Sequence, residues 1–391
     1  MSSYLSAKWI YPVSDAPLQN GIIAVSHDGT VTAVMSAQEG EALNIQDIVY
    51  YDGILVPGLV NTHCHLELSH LAGKIAEHTG LPGFVQQVMQ QRHASELEIE
   101  EAMRLADAEM YANGIVATGD ISNQIYSRGV KLESEIYYHT FVEAMGFSPG
   151  RAQEIIARAI EIRDSFLPLK ATIVPHAPYS VSEELFGEIR KESGGANESV
   201  SIHNQETADE NMFFEVKKGH FLKLYEFLGL DIGFFEARGK TSLQSYLPFL
   251  SAEARTLLVH NTFTSKKDVE FAMKQHPQLY WCLCPNANLY IENRLPDVQL
   301  LKDAGITITL GTDSLASNHQ LSILAEMKTL QEQASVSFEE LLRWATFNGA
   351  VFLGLDTQFG SFEKGKKPGV NLIQQLDNGL ITPKTRIRRI I

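Results

Sequence analysis

Val56–Leu71 reads VPGLVNTHCHLELSHL, an apolar run that breaks off in His63 and His65, with Glu67 and His70 close behind. In a strand, side chains alternate faces, so His63 and His65 share one face and Cys64 takes the other. Two imidazoles on one rigid face can ligate one metal ion. A pair of hydrogen-bonded polar residues at a strand end gives the same tripeptide, so the rest of the chain has to separate the two readings.

Outward from this stretch, between Val56 and about Gly354, eight strand-like runs alternate with helix-compatible segments. The runs are LVNTHCH, GIVATGD, EIYYHTFVE, KATIVPH, SVSIHNQE, TLLVHNT, LYWCLCPN and ITITLGTD. Between them lie segments such as PGFVQQVMQQR, RAQEIIARAIEIRDSF, SEELFGEIRKE, SKKDVEFAMKQH and LSILAEMKTLQEQ. Eight β/α units predict an α/β fold, a (β/α)8 TIM-like barrel over residues 55–354. Residues 1–54 and 355–391 are instead short β-rich runs bounded by turn residues, and predict one small β-sandwich-like domain built from both chain ends. The excursion Thr207–Leu250 is too long for a plain crossover and rich in aromatics, which predicts extra helices over the barrel mouth, forming a substrate wall.

The strand ends carry the chemistry. The runs end, in order, at His63 and His65, Asp120, Glu143, His176, His203, His260, Asn286 and Asp313. Five of the 13 histidines therefore sit where this architecture clusters its catalytic residues. His63, His65 and His203 offer nitrogens and Asp313 an oxygen, a donor set that suits Zn²⁺, or Fe²⁺ or another divalent ion. Such an ion makes hydroxide available near neutral pH. Asp313 can take the water's proton, and His260 can stand beside it as an acid/base or orienting group. Glu206, three residues beyond His203, lies just off the strand end and is the expected proton shuttle.

Composition narrows the class. Hydrophobic content of 44% and charged content of 20% fit a globular chain, and 391 residues can bury a large core. A net charge of -15 argues against a nucleic-acid backbone or an anionic membrane as the main partner, while leaving a single nucleoside open as substrate. Cys64, Cys282 and Cys284 give no disulfide framework and suit a reducing cytoplasm. In the apolar run LYWCLCP, Cys282 and Cys284 read as buried thiols, with metal ligation as the alternative. No secretory leader and no membrane span are expected, since no apolar run reaches about 18 residues.

The ordered motifs PGLVNTHCHL, PHAPYSVS, IHNQET, VHNT, CPNAN and GTDS, with the tail GSFEKGKKPGVNLI, resemble the amidohydrolase superfamily, in its mononuclear deaminase-like branch. That branch holds cytosine, guanine, S-adenosylhomocysteine and aminofutalosine deaminases and the s-triazine hydrolases. The resemblance implies His63, His65, His203 and Asp313 as ligands, Glu206 and His260 as acid/base groups, and His176 as a substrate or supporting contact. Binuclear members carry a carboxylated lysine at the end of strand four; here that place reads IVPHAP, which implies one catalytic metal. The ribose-binding acid that nucleoside deaminases place after strand one is missing from GLPGFVQQVMQQR, whereas HLELSHL is similar to the HLEFS of aminofutalosine deaminases. Glu67 is thereby a contact for a ring nitrogen or amine, or a structural group. Tyr179 and Arg92 complete the substrate-binding set. The expected reaction is hydrolytic deamination of an amino-substituted N-heterocycle. The alternatives are hydrolysis of a cyclic amide or s-triazine-type bond at the same site, or a catalytically silent scaffold. The resemblance is compatible with a homodimer.

Overall fold

The structure is a computed structural model that describes residues 2–391. At the N-terminal end lie β1 (Ser2–Ile10), β2 (Leu18–Gln19), β3 (Ile22–Ser26), β4 (Val31–Met35) and β5 (Ile48–Pro57). All eight strands read in the central region are present: β6 (Leu59–Cys64), β7 (Ile115–Ser122), β8 (Tyr137–Ala144), β9 (Lys170–Pro175), β10 (Ser199–Asn204), β11 (Arg255–His260), β12 (Leu279–Leu283) and β13 (Thr307–Leu310). β14 (Val370–Gln374) and β15 (Arg386–Arg389) follow near the C-terminal end.

The terminal strands share one hydrogen-bonded path, β15–β14–β5–β1–β3–β4, with β2 beside β1. β5 makes this possible because it is ten residues long. It runs parallel to β1 from Ile48 to Leu55, and its last residues, Ile54–Pro57, pair antiparallel with β14. The sandwich-like arrangement read from the sequence is thus a single path stitched through one long strand. Gly58 then carries the chain into β6; a Cβ there would run into Val116 and the Pro368 carbonyl, so glycine alone permits the close approach.

The central strands form two four-stranded parallel arcs, β6–β7–β8–β9 and β10–β11–β12–β13. Their residues are buried on both faces, which is why they read as near-continuous apolar runs. Backbone bonds tie the arcs at both edges. The His203 N–H donates to the His176 carbonyl at 3.0 Å, and the Thr312 and Asp313 N–H groups donate to the His63 carbonyl at 3.0 and 3.1 Å.

The helices between strands start where the sequence provides caps. Ser182 accepts from the Leu185 N–H, and Ser265 forms a capping box with Asp268. Their apolar faces close the core: helix Ala152–Ser165 buries Ala152, Ile156 and Ala159, and helix Ile323–Ala334 buries Ile323, Met327 and Leu330. Fully burying an Ile, Leu or Met side chain contributes about 1.5–3 kcal/mol. Among the described residues no helix is long and apolar enough to cross a membrane.

Candidate active site

The strand geometry brings four donors together. His65 Nε2 lies 3.2 Å from His63 Nε2, 3.4 Å from His203 Nε2 and 3.3 Å from Asp313 Oδ1. His63 Nε2 is 3.6 Å from the same oxygen. His203 Nδ1 donates to the His176 carbonyl at 2.7 Å, so its Nε2 presents a lone pair inward. Burial, the largest influence on each, pushes His63 and His203 below the usual imidazole value and His65 down to about 4, leaving neutral rings. A single imidazole proton cannot serve several converging lone pairs. Bonds of about 2.0–2.1 Å at a tetrahedral centre hold ligand atoms about 3.3–3.4 Å apart. His63, His65 and Asp313 have ligand atoms all within 4.8 Å of one another, and His203 joins them through His65, so the donor set fits a divalent cation.

Asp313 is fixed by the Ser317 hydroxyl, which donates to Oδ2 at 2.5 Å. Burial acts to raise its carboxyl, but the neighbouring imidazoles of His63, His65 and His260 outweigh that and hold it below the usual carboxylate range. Gly311 lets β13 pass beside His63, since a Cβ there would meet the His63 Cβ at 2.8 Å. Gln205, His260, Asn261 and Asp313 all have φ between +45° and +74°. Left-handed backbone at non-glycine residues costs of order 1–3 kcal/mol each and collects at functional sites.

Two further groups flank the donors. His260 Nδ1 faces Asn288 Oδ1 at 2.9 Å, while its Nε2 is buried without a hydrogen-bond partner among the described residues and stands 3.7 Å from Glu206 Oε1. Burial lowers the His260 imidazole and pushes the Glu206 carboxyl well above the usual range, helped by the charges of Asp313, Glu210 and Glu292. Burial thus disfavours the charged form of both groups.

The residues expected to contact a substrate are more dispersed. His176 is bonded through Nδ1 to the Ser180 hydroxyl at 2.7 Å, and burial lowers it to about 3. His176 and Tyr179 line one cavity of about 540 Å³ together with Glu143 and Arg92. Leu224, Tyr225, Leu228 and Leu230, from the excursion after β10, form part of its wall. The two oxygens of Glu67 accept the backbone N–H groups of Asn123 (3.0 Å) and Gln124 (3.2 Å), and the residue also lines a neighbouring cavity with Arg92. Cys282 and Cys284 are buried free thiols.

Four buried side chains that support the site carry no role in the sequence reading. Glu210 accepts from the Gln205 and Glu206 N–H groups and from the Ser242 hydroxyl, holding the loop that carries Glu206. Glu326 accepts from the Asn286 N–H and from the amides of Asn286 and Asn318, tying together the loops after β12 and β13. Lys131 and Asp120 form an ion pair of 2.6 Å between side chains with no exposure, and Asp120 also accepts the Leu66 N–H at 2.8 Å, one residue past His65.

A sequence profile of the amidohydrolase family matches residues 54–385. A 5-methylthioadenosine/S-adenosylhomocysteine deaminase of Teredinibacter turnerae is 25% identical over 397 residues, covering 95% of this chain and 84% of that protein. The crystal structure of Helicobacter pylori aminofutalosine deaminase in complex with methylthio-coformycin superposes with a TM-score of 0.81 at 21% identity, over 97% of this chain and 93% of that one. An adenosine deaminase from Xanthomonas campestris with bound zinc gives a TM-score of 0.75 at 23% identity, over 95% and 84% of the two chains. The chain belongs to the amidohydrolase family.

Proposed function

We propose that this protein is a metal-dependent hydrolase that replaces the exocyclic amine of an N-heterocycle, in the first instance the adenine ring of a nucleoside, by oxygen and releases ammonia. The observation that carries the reading is the pair Glu206 and His260, a buried carboxyl and a buried neutral imidazole 3.7 Å apart beside a four-donor cluster. The names of the relatives support the substrate class. We read the two arcs as halves of one (β/α)8 barrel, supported by the backbone bonds at both edges, with the terminal strands as a separate small β-domain.

His63, His65, His203 and Asp313 would hold one divalent ion, zinc first. When bound, such an ion supplies the Lewis acidity that makes hydroxide available at neutral pH. His260 Nε2 and Asp313 orient the attacking water and accept its proton. Glu206, whose carboxyl burial raises well above the usual range, donates to the ring nitrogen next to the carbon under attack, and proton transfer to the amine lets it leave as ammonia. His176 and Tyr179 hold the ring from the side. The buried thiols fit a reducing, cytoplasmic setting.

The reading is tested by ammonia release from adenosine, 5′-methylthioadenosine, guanine, pterins and triazines, with zinc-loaded and chelator-treated protein. Metal-dependent release from adenine nucleosides supports it; no release from any ring with zinc bound contradicts it.

A further inference from the structure

A separate cavity of about 270 Å³ meets the one beside His176 at a single side chain, Phe147, which lines both. Two sets of aromatic rings wall it. In the first, the Phe147 ring centroid lies 5.7 Å from Phe234 and 5.5 Å from Phe235. In the second, Phe186 stacks on Tyr246 and on Phe249, each at 6.1 Å. Among the described residues no ring of one set pairs with a ring of the other, so the aromatic packing closes within each wall and not across the cavity. The first wall is held in place. Phe234 and Phe235 lie in a segment without helix or strand, and the Lys217 ammonium donates to the Ile232 carbonyl at 2.9 Å and the Phe235 carbonyl at 2.7 Å. Phe234 nevertheless stays 48% exposed, a large apolar ring left in solvent at the cavity edge.

The charged side chains of this cavity are mostly acidic. Glu183, Glu184 and Glu236 line it against one base, Arg238, and that base is already paired with Glu183 at 2.9 Å. The pair also ties the Phe234 segment to helix Glu183–Ser193. Neither Glu184 nor Glu236 has a basic side chain in ion-pair range among the described residues. Two uncompensated carboxylates therefore stand beside aromatic faces. A cation is drawn to both, to the carboxylates by charge and to the rings by the negative potential over their faces. An anion finds no free base there.

We infer that this cavity is a second ligand site, apart from the metal-donor cluster, and that it takes a small organic ammonium ion with an apolar body. The body lies between the two sets of rings and the cationic head sits at Glu184 and Glu236. A volume of about 270 Å³, near the lower end for ligand pockets, limits the guest to about one ring and its head group. None of the groups assigned to the proposed reaction lines this cavity, so binding here is independent of the deaminase reading.

The test uses three compounds of matched size, benzyltrimethylammonium, benzyl methyl sulfone and benzylsulfonate, titrated into zinc-loaded protein and read by calorimetry. The quaternary ammonium has no lone pair and cannot ligate zinc. It is expected to bind about 10-fold more tightly than the neutral sulfone, with the sulfonate weakest and the gaps narrowing as salt rises. In the Glu184→Gln/Glu236→Gln double variant the ammonium-to-sulfone ratio should fall to near one while sulfone binding is kept. Phe234→Ala, which trims a half-exposed ring on a surface segment, should weaken the ammonium and the sulfone together by about 10-fold, with the thermal midpoint checked against the native protein. Absence of ammonium binding, equal binding of ammonium and sulfonate by the native protein, or an ammonium affinity untouched by both variants overturns the inference.

Discussion

Glu210 Oε2 accepts a hydrogen bond from the backbone N–H of Glu206 at 3.2 Å, so one buried carboxyl positions the loop that carries another. The other Glu210 oxygen takes the Gln205 N–H at 2.9 Å, which steadies that residue at its φ of +45°. This clamp adds to the Phe263 N–H bond to the Gln205 carbonyl in fixing Glu206 relative to His260.

Glu210→Ala is therefore expected to lower kcat by about 10- to 100-fold, the scale of a misplaced catalytic group, with bound metal retained. Ser242→Ala, which removes only the third donor to Glu210, should fall between this variant and the native protein. Steady-state kinetics with metal analysis checks both. A Glu210→Ala enzyme with native kcat would contradict the clamp.

The Lys131–Asp120 pair has no solvent to fall back on. Breaking a buried pair from one side leaves an uncompensated charge and costs about 3–5 kcal/mol. Asp120→Ala is expected to lose stability on that scale in urea denaturation. Because Asp120 also holds the Leu66 N–H, next to His65, it should weaken zinc binding too. Loss of stability with unchanged zinc affinity would confine the pair to a packing role.

Metal removal gives a third expectation. A ligand that binds only the folded state at a hundred times its Kd adds about 2.7 kcal/mol. Zinc should raise the thermal midpoint of chelator-treated native protein and fail to do so for His203→Ala. An equal rise in both would remove His203 from the ligand set.

The strands and the rim were legible because both obey short-range rules. Apolar β-branched runs mark strands buried on two faces, and the polar residue that ends each run marks the rim. That is why His63, His65, His203, His260 and Asp313 could be named together. The supporting carboxylates were hidden because their surroundings come from distant elements. Glu210, in TADENMFF, looks like an acid in the first turn of a surface helix, and Lys131, in RGVKLE, like a solvated one. Only the fold brings Ser242 to the first and Asp120 to the second. Glu67 was ambiguous for the same reason: its partners, Asn123 and Gln124, lie over fifty residues away.

Glu326 supplies a pH signature. Burial, the largest influence, lifts its carboxyl from the usual 4.5 to about 8. The folded state therefore holds a proton that the unfolded state releases, and this contribution to stability is present at low pH and lost as pH rises through the folded value. Glu326→Gln, a neutral mimic, removes the term. Relative to the variant, native stability should decline from about pH 5 to about pH 8 by at most about 1.4 kcal/mol per pH unit. Urea denaturation of both proteins across that range checks it, and a difference independent of pH would contradict the buried, protonated state.

The most direct test of the proposed chemistry is Glu206→Gln, assayed for bound zinc and for ammonia release on whichever heterocycle the native protein turns over. The expected result is native zinc content with turnover reduced by at least about 100-fold, as removal of a general acid requires. Native turnover in Glu206→Gln would contradict the assignment of Glu206 as the proton donor, and with it the deamination mechanism built on the Glu206–His260 pair.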